Sequence, residues 1–194
     1  MLLELIIKNK TNMEQTLTEI FSEIGHFGND IGCNDKNSTH TYTETYDKLF
    51  EPFREKCTFM EIGLALGDSI KLVDRYFENS TIIGVDITLV FQPEQYKNNV
   101  VLIEADATKP EFLEKIKDYT FNVILDDASH MENDQVATFE LLKSKMNKGG
   151  VYVIEDILAL EYNRQRFEAL HDNCEIIDMR GNGRFDNVLI VYRF

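Results

Sequence analysis

Two short segments gather the residues best suited to chemistry: Asp126-Asp127-Ala128-Ser129-His130 and, further along, Glu155-Asp156. Each follows an apolar run, so the acids belong at the carboxyl ends of strands. A crossover helix between the runs would make those strands neighbours, roughly 5 Å apart. Carboxylates this crowded repel one another unless a cation neutralises them or some stay protonated. Oxygen donors of this kind suit a hard divalent ion such as Mg2+, Mn2+ or Ca2+. His130 stands where the next helix should begin and is the candidate general base, because an imidazole titrates near neutral pH. His26, His40 and His171 lack a comparable acidic context. The purely structural alternative is that Asp127 and Asp156 cap the segments that follow, Glu155 is solvated, and His130 is an ordinary helix-start residue.

A second group sits at the end of the first sheet strand, in Glu61-Ile-Gly63-Leu-Ala-Leu-Gly67-Asp68-Ser69. Glycines there let a ligand approach the backbone, and the helix that follows offers unpaired N–H donors. The spacing is GxxxG rather than GxGxxG, and Glu61 and Asp68 would repel a pyrophosphate, so a ligand with cationic character fits better. Asp86 ends the next strand, where an acid accepts hydrogen bonds from both ribose hydroxyls of a bound nucleoside. Asp106, in Glu104-Ala105-Asp106-Ala107-Thr108, could accept from an adenine amino group while the adjoining backbone reads the ring edge. Each acid alone could cap a helix or a turn. Their placement in register at three successive strand ends points to one nucleoside-bearing ligand.

The elements that must position these residues are legible from residue 59 onward as short apolar runs alternating with amphipathic stretches, the pattern of a parallel sheet covered by helices. Seven strands are expected, over 58–64, 81–87, 100–106, 122–128, 151–157, 174–179 and 187–194. Helices are expected in GDSIKLVDRYF, PEFLEKIKDY, NDQVATFELLKSKM and YNRQRFEALHD, whose apolar residues recur at spacings of three and four. Pro110 suits the first turn of one helix, and Gly149-Gly150 should stop another just before a strand. The link RGNGRFD is too short for a crossover, so the last two strands must form an antiparallel hairpin. The fold class is therefore α/β: a Rossmann-like, mostly parallel seven-stranded sheet with an antiparallel final strand and helices on both faces. Residues 1–58 are expected to form a helical cap or lid on the domain built by 59–194, with 25–42 as an ordered loop.

Composition narrows the partners. The 194 residues suit one domain, and 43% apolar with 28% charged residues is ordinary for a globular chain. Twenty Lys and Arg against 34 Asp and Glu give a net charge of −14, which disfavours nucleic acid and anionic membrane surfaces. Three cysteines, Cys33, Cys57 and Cys174, form no CxxC pair, which fits a reducing, cytoplasmic location. The opening MLLELIIK is interrupted by Glu4 and ended by Lys8, so it reads as a short strand or helix turn and not as a signal peptide.

The ordered set Glu61, Gly63, Gly67, Asp86 and Asp106 resembles the class I S-adenosylmethionine-dependent methyltransferases, over residues 59–194. The resemblance implies S-adenosylmethionine as cofactor, with Tyr42, Glu61, Gly63, Gly67, Ser69, Asp86, Asp106, Ala107 and Asp126 around it. The pair DDxSH and IED is further similar to the metal-dependent sugar O-methyltransferases of macrolide deoxysugars and related glycans, a group that shares its fold with the cephalosporin hydroxylase-like family. That likeness implies Asp127, Glu155 and Asp156 as ligands of a divalent metal, Mg2+ first, and His130 as the base. The segment DKNSTHTYTETYDKLFEPF is also similar to that family's motif of Lys, His and spaced tyrosines ahead of the sheet, which would place His40, Tyr42 and Tyr46 near the cofactor or acceptor. Two departures stand out: Ala128 where the family often has Gly, and ILALEYN after Asp156 in place of a His/Thr/Ser/Tyr run. The implied activity is methyl transfer to a hydroxyl of a deoxyhexose such as rhamnose, on a small-molecule or glycan acceptor; a homodimer is a separate expectation that the resemblance does not supply. A catechol-like or natural-product O-methyltransferase and a non-catalytic cofactor- or glycan-binding module are the rival readings.

Overall fold

The computed structural model describes residues 15–24, 36, 40–90 and 96–194. The expectation for residues 1–8, Cys33 and most of the loop expected over 25–42 lie outside the described residues. The elements, in chain order, are α1 (Leu17–Ile24), α2 (Thr43–Phe50), β1 (Thr58–Ile62), α3 (Asp68–Tyr76), β2 (Thr81–Asp86), β3 (Asn99–Glu104), α4 (Phe112–Lys115), β4 (Phe121–Asp126), α5 (Glu132–Leu142), β5 (Met146–Ile154), α6 (Leu160–Glu168), β6 (Cys174–Asp178) and β7 (Val188–Arg193).

The strands form one seven-stranded sheet in the order β3-β2-β1-β4-β5-β7-β6. β1 to β5 pair in parallel, and β7 runs antiparallel to both β5 and β6. The expected terminal hairpin is thus present, inserted so that β7 lies between β5 and β6. No helix among the described residues is long and apolar enough to cross a membrane.

Three elements depart from expectation. Gly149 and Gly150 lie inside β5, which starts at Met146 directly after a 3-10 turn, Lys143–Lys145. Gly149 there adopts a left-handed φ of +82° that glycine takes without strain, so the pair serves the strand's irregular start and not the helix's end. α4 is a single turn, because the stretch after Pro110 buries only Phe112 and Ile116. β5 ends at Ile154 rather than at residue 157, since Asp156 turns out of the extended conformation with φ +54°.

Side-chain alternation along the strands separates two apolar layers. Phe59 of β1 and Val151 and Val153 of β5 face one layer, completed by α1, α2 and α3. Met60 and Ile62, with Tyr152 and Ile154, face the other, completed by α4, α5 and α6. On the first face the aromatic residues of α2 and its N-cap, Tyr42, recur at four-residue spacing and stack in series. Ring centroids of Tyr42 and Tyr46 are 5.9 Å apart, and those of Tyr46 and Phe50 5.0 Å. Phe50 then packs edge-on against Phe59. The N-terminal helices therefore share one core with the sheet, and they deliver the tyrosines to its carboxyl edge.

Candidate active site

Parallel register brings the strand ends into line. Ile62 pairs with Val85 and with Asp126, and Asp126 with Ile154. The chain continues the ladder one step further, with Gly63 N–H donating to Val85 O (2.8 Å), Asp127 N–H to Ile62 O (2.8 Å) and Glu155 N–H to Asp126 O (2.9 Å). Every candidate acid on these strands thus emerges at one edge of the sheet. Non-glycine residues in the left-handed region gather there as well: Ala65 (φ +46°), His130 (φ +57°) and Asp156 (φ +54°). Such conformations cost of order 1–3 kcal/mol each and persist where the surroundings dictate them, often at functional sites.

Alternation sends Glu61 and Glu155 toward the tyrosine face, and there they meet Lys36. Lys36 Nζ lies 2.7 Å from Glu155 Oε1, 2.7 Å from Asp127 Oδ2 and 3.5 Å from Glu61 Oε1. Tyr46 OH also donates to Glu155 Oε1, at 2.5 Å. Burial and the Asp127 charge push the Glu155 carboxyl well above its usual range, with Lys36 opposing them. Burial alone would lower the Lys36 ammonium, but Asp127, Glu155 and Glu61 together hold it well above the ordinary lysine value. Glu61 is fully buried and neither carboxylate oxygen completes a hydrogen bond; burial raises it to about 7 against the lowering pull of Lys36.

On the other side of Asp127, His130 Nε2 lies 3.9 Å from Asp127 Oδ1, and His130 Nδ1 lies 3.3 Å from Asp156 Oδ2. Nδ1 is enclosed and lacks a hydrogen-bond partner. Asp156 accepts from Tyr42 OH at 2.5 Å, and its own carboxyl is raised chiefly by burial, with Tyr42 opposing. His40 Nδ1 approaches Asp156 Oδ1 at 3.4 Å and Asn187 Oδ1 at 3.2 Å, while Arg184 holds Asp186 beside it.

Asp127, His130 and Asp156 offer one ligand atom each within 4.8 Å of one another. Two carboxylates and an imidazole with an unpartnered ring nitrogen form a donor set that fits a divalent ion. Glu155, expected as a third ligand, lies instead against Lys36 and Tyr46. The two residues are adjacent in sequence, and an extended backbone would send them to opposite faces; the turn at Asp156 redirects only the second.

Beside this cluster a cleft of about 340 Å³ opens over the ends of β1 to β4, lined among others by Gly63, Asp86, Asp106, Ala107, Asp126 and Ser129. Asp86 caps the loops that shape it, accepting from Leu64 N–H (2.7 Å) and Thr88 N–H (3.0 Å). Asp106 accepts from Thr108 N–H and Oγ1, and those bonds hold its carboxyl below the usual range. Asp126, at the cleft floor, is raised to about 7 by burial, opposed by an Ala128 backbone bond and by Tyr152. Of the expected cofactor residues, Tyr42, Glu61, Gly67 and Ser69 do not line the cleft. Gly67, at φ +80°, is the N-cap of α3, Ser69 lies in that helix's first turn, and Glu61 is fully buried beside Lys36.

Asn187 and Gln135 were not indicated by the sequence, and Lys36 stood in the motif segment without a stated place at the site. Gln135 donates to Glu155 O at 3.0 Å and lines the cleft. Neither amide carries a sequence signal of its own, because an amide in a helix or a loop says nothing about the strand ends it will reach.

The whole arrangement can be compared with solved structures. MycE methyltransferase from the mycinamycin biosynthetic pathway, in complex with Mg, SAH and mycinamycin VI, superposes with a TM-score of 0.71 over 94% of this chain and 54% of its own, at 21% identity. The fold is a Rossmann-like methyltransferase fold. CalS11, a TDP-rhamnose 3'-O-methyltransferase, shares this methyltransferase fold with a TM-score of 0.54 over 78% of the chain, at 15% identity. In sequence, the chain is similar to sugar O-methyltransferases. One is the 8-demethyl-8-alpha-L-rhamnosyl tetracenomycin-C 2'-O-methyltransferase of Streptomyces olivaceus, 34% identical over 134 residues, 64% of this chain and 35% of that protein. Another is the L-olivosyl-oleandolide 3-O-methyltransferase of Streptomyces antibioticus, 31% identical over 128 residues, 60% of this chain and 32% of that protein. The chain spans about a third of the length of the curated relatives it matches. No family model matches it.

Proposed function

We propose that the chain carries an S-adenosylmethionine-dependent O-methyltransferase activity, assisted by a divalent metal, that acts on a hydroxyl of a deoxyhexose such as rhamnose in a glycoside or glycan. One observation carries the reading. Within a single segment after β4, Asp126 and Ser129 line the cleft while Asp127 and His130 belong to the acidic cluster, so donor and acceptor sites would share a wall. The curated relatives named above are methyltransferases of rhamnosyl and olivosyl compounds, which supports a sugar acceptor.

S-adenosylmethionine, when bound, supplies an electrophilic methyl group, and a divalent ion supplies positive charge that makes a nearby hydroxyl more acidic. Asp127 and Asp156 would hold the ion, with Glu155 able to join them. Asp86 would bind the ribose hydroxyls, and Asp106 with Ala107 the adenine edge. His130 would take the hydroxyl proton at Nε2, its Nδ1 side facing Asp156 and its gained charge lying between two carboxylates. The rest of the rate would come from orientation, since fixing two reactants in line can supply ~7 to 11 kcal/mol.

The test is incubation of the protein with methyl-labelled S-adenosylmethionine, Mg2+ and a panel of rhamnosides, free and nucleotide-linked deoxysugars, and catechols. Label in a sugar is the expected result. Label in catechols alone would replace the acceptor, and cofactor binding with no transfer to any acceptor would favour a binding module.

A further inference from the structure

Lys36 does for the carboxylates what a metal ion would. Its side chain is 4% exposed, and it bridges Asp127 and Glu155, whose side chains are 21% and 1% exposed, at 2.7 Å each, with the buried Glu61 at 3.5 Å. Asp127 is divided between two neighbours: Oδ2 meets Lys36, whereas Oδ1 faces His130. Glu155 Oε1 is committed to Lys36 and Tyr46. A divalent ion on Asp127 would share that half-buried carboxylate with an ammonium, and two cations on one carboxylate repel, the more so where water has limited access to screen them.

We propose that Lys36 is an internal counter-cation that competes with the divalent metal for Asp127 and Glu155, so that metal affinity is set by exchange of one cation for another. The inference rests on the metal-assisted reading above. While Lys36 holds its place, an ion has Asp127 Oδ1 and Asp156 to bind. When Lys36 withdraws, Glu155 becomes available and the site gains a third carboxylate. The lysine thereby lets the acidic pocket fold without a metal, at the expense of metal affinity.

The experiment is Mn2+ binding to the full chain and to Lys36→Met, followed by electron paramagnetic resonance of the free ion at one pH and ionic strength. Competition predicts that Lys36→Met binds Mn2+ at least tenfold more tightly than the wild type. Equal or weaker binding by a folded Lys36→Met, with the wild type still binding, overturns the inference and leaves the metal reading standing. Binding by neither overturns both. If Lys36→Met does not fold, the wild type decides through amine-reactive labelling read by peptide mass spectrometry. Saturating Mn2+ should then raise labelling of Lys36 at least threefold while leaving Lys117 unchanged; no rise at Lys36 overturns the inference.

Discussion

Gly63 is packed against the backbone of Asp127 so closely that a Cβ at Gly63 would lie 2.1 Å from the Asp127 carbonyl oxygen. The glycine motif after β1 and the acid that would hold a metal are therefore parts of one rigid contact. Gly63 also has φ +87°, so the position excludes a side chain on both steric and conformational grounds.

Gly63→Ala should destabilise the fold by about 2–4 kcal/mol and displace the Asp127 segment, because the obstructing atoms are backbone and cannot swing aside. Gly149→Ala supplies the control. Its φ is +82°, but nothing lies within 4 Å of the added Cβ, so only conformational strain of about 1 kcal/mol is expected. Urea denaturation midpoints of the two variants give the comparison, and equal losses would contradict the packing argument.

Stability should fall as pH rises from about 5 to 8. Glu61 and Asp126 both titrate near 7 in the folded chain, against ordinary values of 4.5 and 3.8. Between those ordinary values and 7 the folded chain binds more protons than the unfolded one, so deprotonation costs stability across that window and the loss is complete above it. For Glu61 the cost is on the order of 3 kcal/mol. Chemical denaturation at pH 5.5 and 8 should show the fall, and Glu61→Gln should flatten it; a variant as steep as the wild type would assign the slope elsewhere.

Asp86→Asn should weaken binding of S-adenosylhomocysteine by about 10- to 100-fold, in keeping with the ~1.5–3 kcal/mol attached to hydrogen bonds of a charged acceptor. Asp106→Asn should cost less, since Thr108 already satisfies one Asp106 oxygen twice. Calorimetric titration separates the two, and undiminished affinity in Asp86→Asn would remove that residue from the ribose site.

His130→Ala should lower methyl transfer by roughly 10²- to 10⁴-fold, the usual contribution of a positioned base. Its side chain is 34% exposed at the rim of the cluster and is absent from the cleft lining, so cofactor affinity should stay within threefold. A matched loss of cofactor binding would mean that the residue shapes the cleft instead.

Much of this architecture was legible in the sequence because strand periodicity, helix spacing and the short RGNGRFD link are local properties. The seven strands, the terminal hairpin and the emergence of Asp86, Asp126 and Asp127 at one edge follow from them. The division of labour between Glu155 and Asp156 was not legible, because it turns on a single left-handed residue whose conformation no neighbour announces. The partners of Lys36 were not legible for a different reason. They lie between 25 and 119 positions away along the chain, and only the close packing of the tyrosine face brings the Lys36 ammonium to them.

The central claim is that the acidic strand ends work with a divalent ion to activate a sugar hydroxyl. It is tested most directly by measuring label transfer from S-adenosylmethionine to a rhamnoside with chelator-stripped protein as Mg2+ is added back. Transfer should be lost in excess EDTA and return in proportion to occupancy of one ion per chain. Full transfer in EDTA would contradict the account.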